Sequence, residues 1–253
     1  MWDRCCGPAI AAAVLAAALL PGPARAAGPT ALPGIVGRDD RVPQPQDGGW
    51  PWAAIGRLNR SGGFCTGTLI APGRVLTAAH CLWNRRRGAM LPPDRLHFVA
   101  GWWRGDYLAH ATVARIVTDP ALDFDDHGRP RSLATDWAVL VLDPAARQGR
   151  WPRPVPLAAP GRVEAGAKLS RAGYGRDRPH ALSRQDDCRA VDLVNGGAVL
   201  LHDCDATFGD SGSPILSRTE AGYAVAGVHV AFVERGGRTA GAAVLVTPGM
   251  TAP

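Results

Sequence analysis

Lysine is nearly absent: Lys168 is the only one in 253 residues, so the net charge of +6 is carried by arginine. The arginines are scattered, apart from Arg85-Arg86-Arg87, and no nucleic-acid-binding motif accompanies them. A basic, solvated surface is the reading, and nucleic acid is excluded as the expected partner. Long helical periodicity is also missing, which argues against a bundle. No CxxC or HExxH spacing occurs, so neither a metal nor another cofactor is expected. Beyond residue 20 no apolar run is long enough to cross a bilayer. Internal repeats are absent, and low-complexity sequence is confined to the first residues.

What is present begins with Met1-Trp2-Asp3-Arg4, an alanine-rich apolar run from Pro8 to Leu20, and Ala24-Arg25-Ala26. This order reads as a secretory signal peptide over 1–27, with a mature, exported chain starting near Ala27 or Gly28. Cys5 and Cys6 leave with it. Four cysteines remain for an oxidising compartment and allow three pairings. Cys65–Cys81 and Cys188–Cys204 are favoured because each closes a local loop of 16 residues. Each bridge stabilises by roughly 3 kcal/mol on the loop-entropy account.

The rest consists of short apolar segments punctuated by Gly and Pro, for example 65–70, 96–103, 137–142 and 223–232. Many short strands with turn signals between them imply an all-β sandwich or barrel. The stretch 144–160 carries five prolines and resists regular structure, so it reads as a linker. The expected organisation is a first β-domain up to 143, the linker at 144–160 and a second β-domain at 161–253.

Three local contexts carry chemistry. In Leu76-Thr-Ala-Ala-His-Cys81 a strand ends in small residues, then His80 and a cysteine. In Thr135-Asp-Trp-Ala-Val-Leu-Val-Leu142 an acid, Asp136, directly precedes an apolar strand. In Gly209-Asp-Ser-Gly-Ser-Pro214 glycines flank Ser211, allowing a sharp turn with amides aimed inward. A serine hydroxyl is a weak nucleophile until a base takes its proton, and neutral imidazole suits that task. A buried carboxylate fixes the imidazole tautomer. The N–H groups of Gly209 and Ser211 are the expected oxyanion donors.

With these three blocks in the order His, Asp, Ser, the sequence resembles the chymotrypsin–trypsin family of serine proteases. Cys65-Thr-Gly-Thr-Leu-Ile and Ala172-Gly-Tyr-Gly175 also match that family's strands, and the likeness runs from about Ile35 to about Val246. The resemblance implies two six-stranded antiparallel β-barrels with the active site in the cleft between them. It implies a monomeric, secreted endopeptidase acting on protein or peptide substrates, with no membrane contact in the mature form. Ile35-Val36-Gly37 resembles the family's activated N-terminus, whose amine would pair with Asp210 after cleavage at Gly34–Ile35. A short pro-segment at 28–34 ahead of a first β-domain at 35–143 is implied only by this resemblance. The other reading of Pro33-Gly34-Ile35 is a plain turn into the first strand.

Two candidate specificity residues point in opposite directions. Asp205 lies six residues before Ser211, the offset of a pocket acid for basic substrates, although Cys204 precedes it where the family's cysteine follows. Gly227-Val-His-Val230 resembles the pocket strand of bacterial glutamyl endopeptidases, where a histidine at the position of His229 meets an acidic side chain. Ala206 and Val230 replace hydroxyl residues usual near these positions. A non-catalytic secreted binding protein on the same fold is the alternative. A closing C-terminal helix is not expected from Val246–Pro253.

Overall fold

In the computed structural model, residues 32–46, 48–161 and 163–251 are described. The expected signal peptide and most of the expected pro-segment lie outside these residues. No α-helix occurs among the described residues; strands and short 3-10 turns make up the regular structure.

The short apolar segments become strands of two closed barrels. The first uses β1 (Ile55–Arg60), β2 (Gly63–Ala71), β3 (Arg74–Thr77), β4 (His97–Ala100), β5 (Ala109–Thr118) and β6 (Ala138–Leu142). Their order is β5-β4-β1-β2-β3-β6, and β6 pairs back onto β5, so the sheet has no free edge within the ring. The second uses β7 (Lys168–Gly173), β8 (Ser183–Val194), β9 (Val199–His202), β10 (Pro214–Thr219), β11 (Gly222–Arg235) and β12 (Arg238–Leu245). Its order is β8-β7-β10-β11-β12-β9, closed by β9 on β8. Every pairing is antiparallel, and both rings have the six strands expected.

Apolar runs along the strands, mostly buried without a break, supply each core. Ile55, Leu58, Leu69, Leu76, Phe98 and Leu140 fill the first barrel and are essentially inaccessible. Leu169, Leu200, Ile215, Ala226 and Ala243 fill the second, around the Cys188–Cys204 bridge. Burying each of the leucine, isoleucine and phenylalanine side chains contributes about 1.5–3 kcal/mol.

The segment at the start of the described chain does not join the first barrel. Val42–Pro43 adds an edge strand to β8 of the second barrel. Within 144–160, Pro144–Ala146 forms a 3-10 turn and Gln148–Gly149 pairs with β5. After β12 the described chain makes a 3-10 turn, Pro248–Thr251, which buries Met250.

Candidate active site

Register brings the histidine and the acid together. Thr77, at the end of β3, pairs with Ala138, at the start of β6. His80 sits three residues beyond Thr77 in the 3-10 turn Ala79–Leu82, and Asp136 sits two residues before Ala138. The Cys65–Cys81 disulfide ties the histidine turn to β2. The Asp136 carboxylate is buried and accepts two hydrogen bonds from one residue: His80 N–H at 2.8 Å and the His80 ring at Nδ1, 2.7 Å. The backbone bond fixes where the histidine lies, and the ring bond fixes which nitrogen carries its proton. Nε2 is thereby left as the basic nitrogen.

Ser211 comes from the loop between β9 and β10. Its carbonyl accepts from Thr66 N–H of β2 at 2.9 Å, which couples the serine loop to the other barrel. Thr66 is fully buried and works from both ends: its hydroxyl lies 3.3 Å from the Gly209 carbonyl and accepts from Tyr174 N–H at 2.9 Å. Its own carbonyl accepts from the Thr77 hydroxyl at 2.8 Å. Sequence reasoning did not single out Thr66.

His80, Gly209 and Ser211 line one cleft of about 830 Å³. Ser211 and His80 make no hydrogen bond with each other among the described residues, as is common without a substrate in place. Among the described residues neither Gly209 N–H nor Ser211 N–H donates to a protein acceptor, while the intervening Asp210 N–H bonds Thr207. Two unused donors beside the serine are the arrangement an oxyanion requires. The turn depends on two glycines with positive φ, Gly209 at 100° and Gly212 at 85°. A Cβ at Gly212 would overlap the Thr66 carbonyl and the Thr77 hydroxyl.

Asp210 departs from the expected activation pair. Its carboxylate is fully buried against the guanidinium of Arg171, with Arg41 3.7 Å away on the other oxygen. Arg171 is itself fully buried and also donates to the Asp205 carbonyl at 2.6 Å and the Ser213 hydroxyl at 3.0 Å. Burial pushes the Asp210 carboxyl up, against the pull of Arg171, Thr207 N–H and Arg41. Ile35 is not brought to Asp210; its N–H bonds Leu32. The chain is uncut at Gly34–Ile35, and Arg171 is the cation that meets Asp210 in it. The signal was an arginine in a strand whose neighbours, Leu169 and Ala172, face a core.

Asp205 is likewise not a pocket acid. It is buried, it is absent from the cleft lining, and its two oxygens accept Val36 N–H at 2.7 Å and Asp40 N–H at 2.9 Å. It anchors the segment that leads into the second barrel. Burial raises its carboxyl, partly offset by those two N–H donors.

His229, in contrast, lines the cleft. Behind it lies His202, which sequence reasoning missed, with His202 Nε2 3.1 Å from His229 Nδ1. Both rings are buried. Burial, and then the Arg171 charge, lowers His202 to about 3, and burial followed by His202 holds His229 well below its ordinary value. Both are therefore neutral at pH 7.

The chain belongs to the trypsin family, whose description matches residues 41–248. Among curated proteins it is 36% identical to a glutamyl endopeptidase of Bacillus licheniformis over 67 residues, 26% of this chain and 21% of that protein. It is 27% identical to the inactive serine protease PAMR1 of Bos taurus over 210 residues, 74% of this chain and 28% of that protein. The chain spans less than a third of the length of the curated relatives it matches first. A solved structure of a Glu endopeptidase in complex with MPD superposes with a TM-score of 0.70 at 18% identity, covering 86% of this chain and 95% of that one. That likeness carries the fold.

Proposed function

We propose that the chain is a secreted serine endopeptidase. Ser211 Oγ attacks the scissile carbonyl carbon as its proton passes to His80 Nε2. The carbonyl oxygen takes the negative charge and rests on the N–H groups of Gly209 and Ser211. The C–N bond then breaks, the amine leaves with the proton from His80, and an ester on Ser211 remains. Water, deprotonated by His80, hydrolyses that ester. Asp136 holds the imidazole and stabilises its charged form.

The carrying observation is the buried Asp136 clamp on His80, in one cleft with Ser211 and two unused N–H donors. The disulfides support export, since such bridges persist in oxidising compartments. Among the described residues no helix is long and apolar enough to cross a membrane. For the residue before the scissile bond the reading is acidic. His229 lines the cleft with Ser211, and its Nδ1 is held 3.1 Å from His202 Nε2, which leaves its Nε2 to meet a substrate carboxylate.

The second reading, a binding protein without catalysis, is favoured by one observation: the broad likeness to a relative described as inactive. A fluorophosphonate probe followed by peptide mass mapping separates the two. Label on Ser211 that disappears in Ser211→Ala and His80→Ala is the expected result. A disulfide-bonded protein that takes no label even when trimmed to Ile35 refutes the enzyme.

A further inference from the structure

The cleft has one sign of charge. Its lining includes five arginines, Arg60, Arg85, Arg86, Arg87 and Arg176, and neither an aspartate nor a glutamate. Outside the cleft, seven of the described arginines meet an aspartate, Arg41, Arg131, Arg171 and Arg178 among them, while others such as Arg104 and Arg218 lie over aromatic rings. None of the five in the cleft meets an aspartate among the described residues. The Arg60 Nε is buried with no acceptor. Burial, and then the charges of Arg176 and Arg85, holds the Arg60 guanidinium below its ordinary value, so three of these groups share one field although they come from separate loops.

Their placement has a direction. Arg60 ends β1, just before Phe64 and the Cys65–Cys81 bridge. Arg85–Arg87 follow the histidine turn. Arg176 N–H bonds the Phe208 carbonyl at 2.6 Å, one residue before Gly209, and its guanidinium lies over the Phe208 ring. His229 and Arg176 come from the second barrel, and Arg60 and Arg85–Arg87 from the first. With the preceding side chain at His229 and the carbonyl on the Gly209 and Ser211 amides, the leaving amine must lie beside His80, which protonates it. A peptide that leaves past the histidine turn and the Cys65–Cys81 bridge passes Arg85–Arg87 and Arg60 of the first barrel.

We infer that the cleft selects peptides with acidic side chains at the second and third residues after the scissile bond. Arg60, Arg85–Arg87 and Arg176 are the specificity residues. A lone exposed arginine–carboxylate pair is worth little. Several unpaired cations around one concave site focus their field, and a guanidinium binds a carboxylate through two parallel hydrogen bonds. The inference rests on the endopeptidase reading for the polarity of the bound chain.

The test uses Ser211→Ala protein, so that binding is read without turnover, and fluorescent peptides that differ only in Asp or Asn at those two positions. The Asp peptide is expected to bind about tenfold tighter or more in about 20 mM salt, and the gap to shrink in about 0.5 M salt as screening sets in. Arg86→Gln and Arg176→Gln shrink the gap at low salt, and Arg176→Lys restores most of it. Equal binding of the two peptides at low salt overturns the inference. So does a preference for acids only before the bond, or a sulfated oligosaccharide that binds tighter than the Asp peptide and displaces it. Cleavage of the same peptides by the unsubstituted protein is scored separately. Preferential binding without cleavage refutes the endopeptidase and leaves the acidic-peptide site standing.

Discussion

At His202 and His229 the protein keeps two imidazoles neutral by burying them against each other. The consequence for stability has a definite sign. An unfolded chain protonates histidine near pH 6.5. In the folded protein His202 does so only near pH 3, and His229 well below its ordinary value. Between those limits the unfolded state binds more protons, so stability falls as pH drops below about 6.5, by up to roughly 1.4 kcal/mol per pH unit for each group. The raised carboxyls of Asp205 and Asp210 act in the opposite direction, so the readout is a difference. His202→Gln is expected to flatten the dependence of the urea midpoint on pH between 6.5 and 4, relative to the unsubstituted protein. Parallel curves for the two proteins would refute the neutral pair.

The histidine turn is the element whose position matters most, because it holds His80 against Asp136. It is a single 3-10 turn without a side-chain cap, so its geometry comes from its attachments. These are the strand β3, the Asp136 carboxylate and the Cys65–Cys81 bridge. Replacing both cysteines by alanine is expected to remove about 3 kcal/mol of stability, measured by urea unfolding. It should also slow fluorophosphonate labelling of Ser211 in protein that remains folded. An unchanged labelling rate would mean that Asp136 and β3 suffice to place the turn. The serine loop is held differently, by Thr66 and by the two left-handed glycines, with no covalent link to the first barrel among the described residues.

For the molecule as a whole, the internal Arg171–Asp210 pair gives the serine loop a countercharge from within the fold. The countercharge under the serine loop is present while Gly34 and Ile35 are still joined. Secreted protein beginning before Ile35 is therefore expected to react with the fluorophosphonate as fast as protein trimmed to Ile35. Reaction only after trimming would restore the processing scheme. Arg171→Met leaves Asp210 with the Thr207 N–H and with Arg41, at 3.7 Å, as its one nearby cation among the described residues, and is expected to cost about 3 kcal/mol or more with loss of labelling in both forms.

Short apolar segments, turn residues and cysteine spacing were local signals, and they carried the all-β class and both disulfides. Barrel closure came from the resemblance, whose motifs also contain His80, Asp136 and Ser211 within a few residues of strand ends. What a linear reading left open was the meaning of every polar side chain whose partner lies far along the chain. Asp205 matched a pocket acid by offset, yet the backbone of residues 36 and 40 satisfies both its oxygens. Asp210 matched a partner for Ile35, yet β7 pairs with β10 so that Arg171 reaches it first. His202 carried no motif and gained its role from lying behind His229. The arginines read as scattered because Arg60, Arg85 and Arg176 are far apart in sequence and adjacent only across the cleft. Sequence by itself determined which short segments are apolar and which residues turn and cross-link, because those depend on neighbours along the chain. The tertiary structure alone decided which buried charge meets which partner, because burial and countercharge are properties of space.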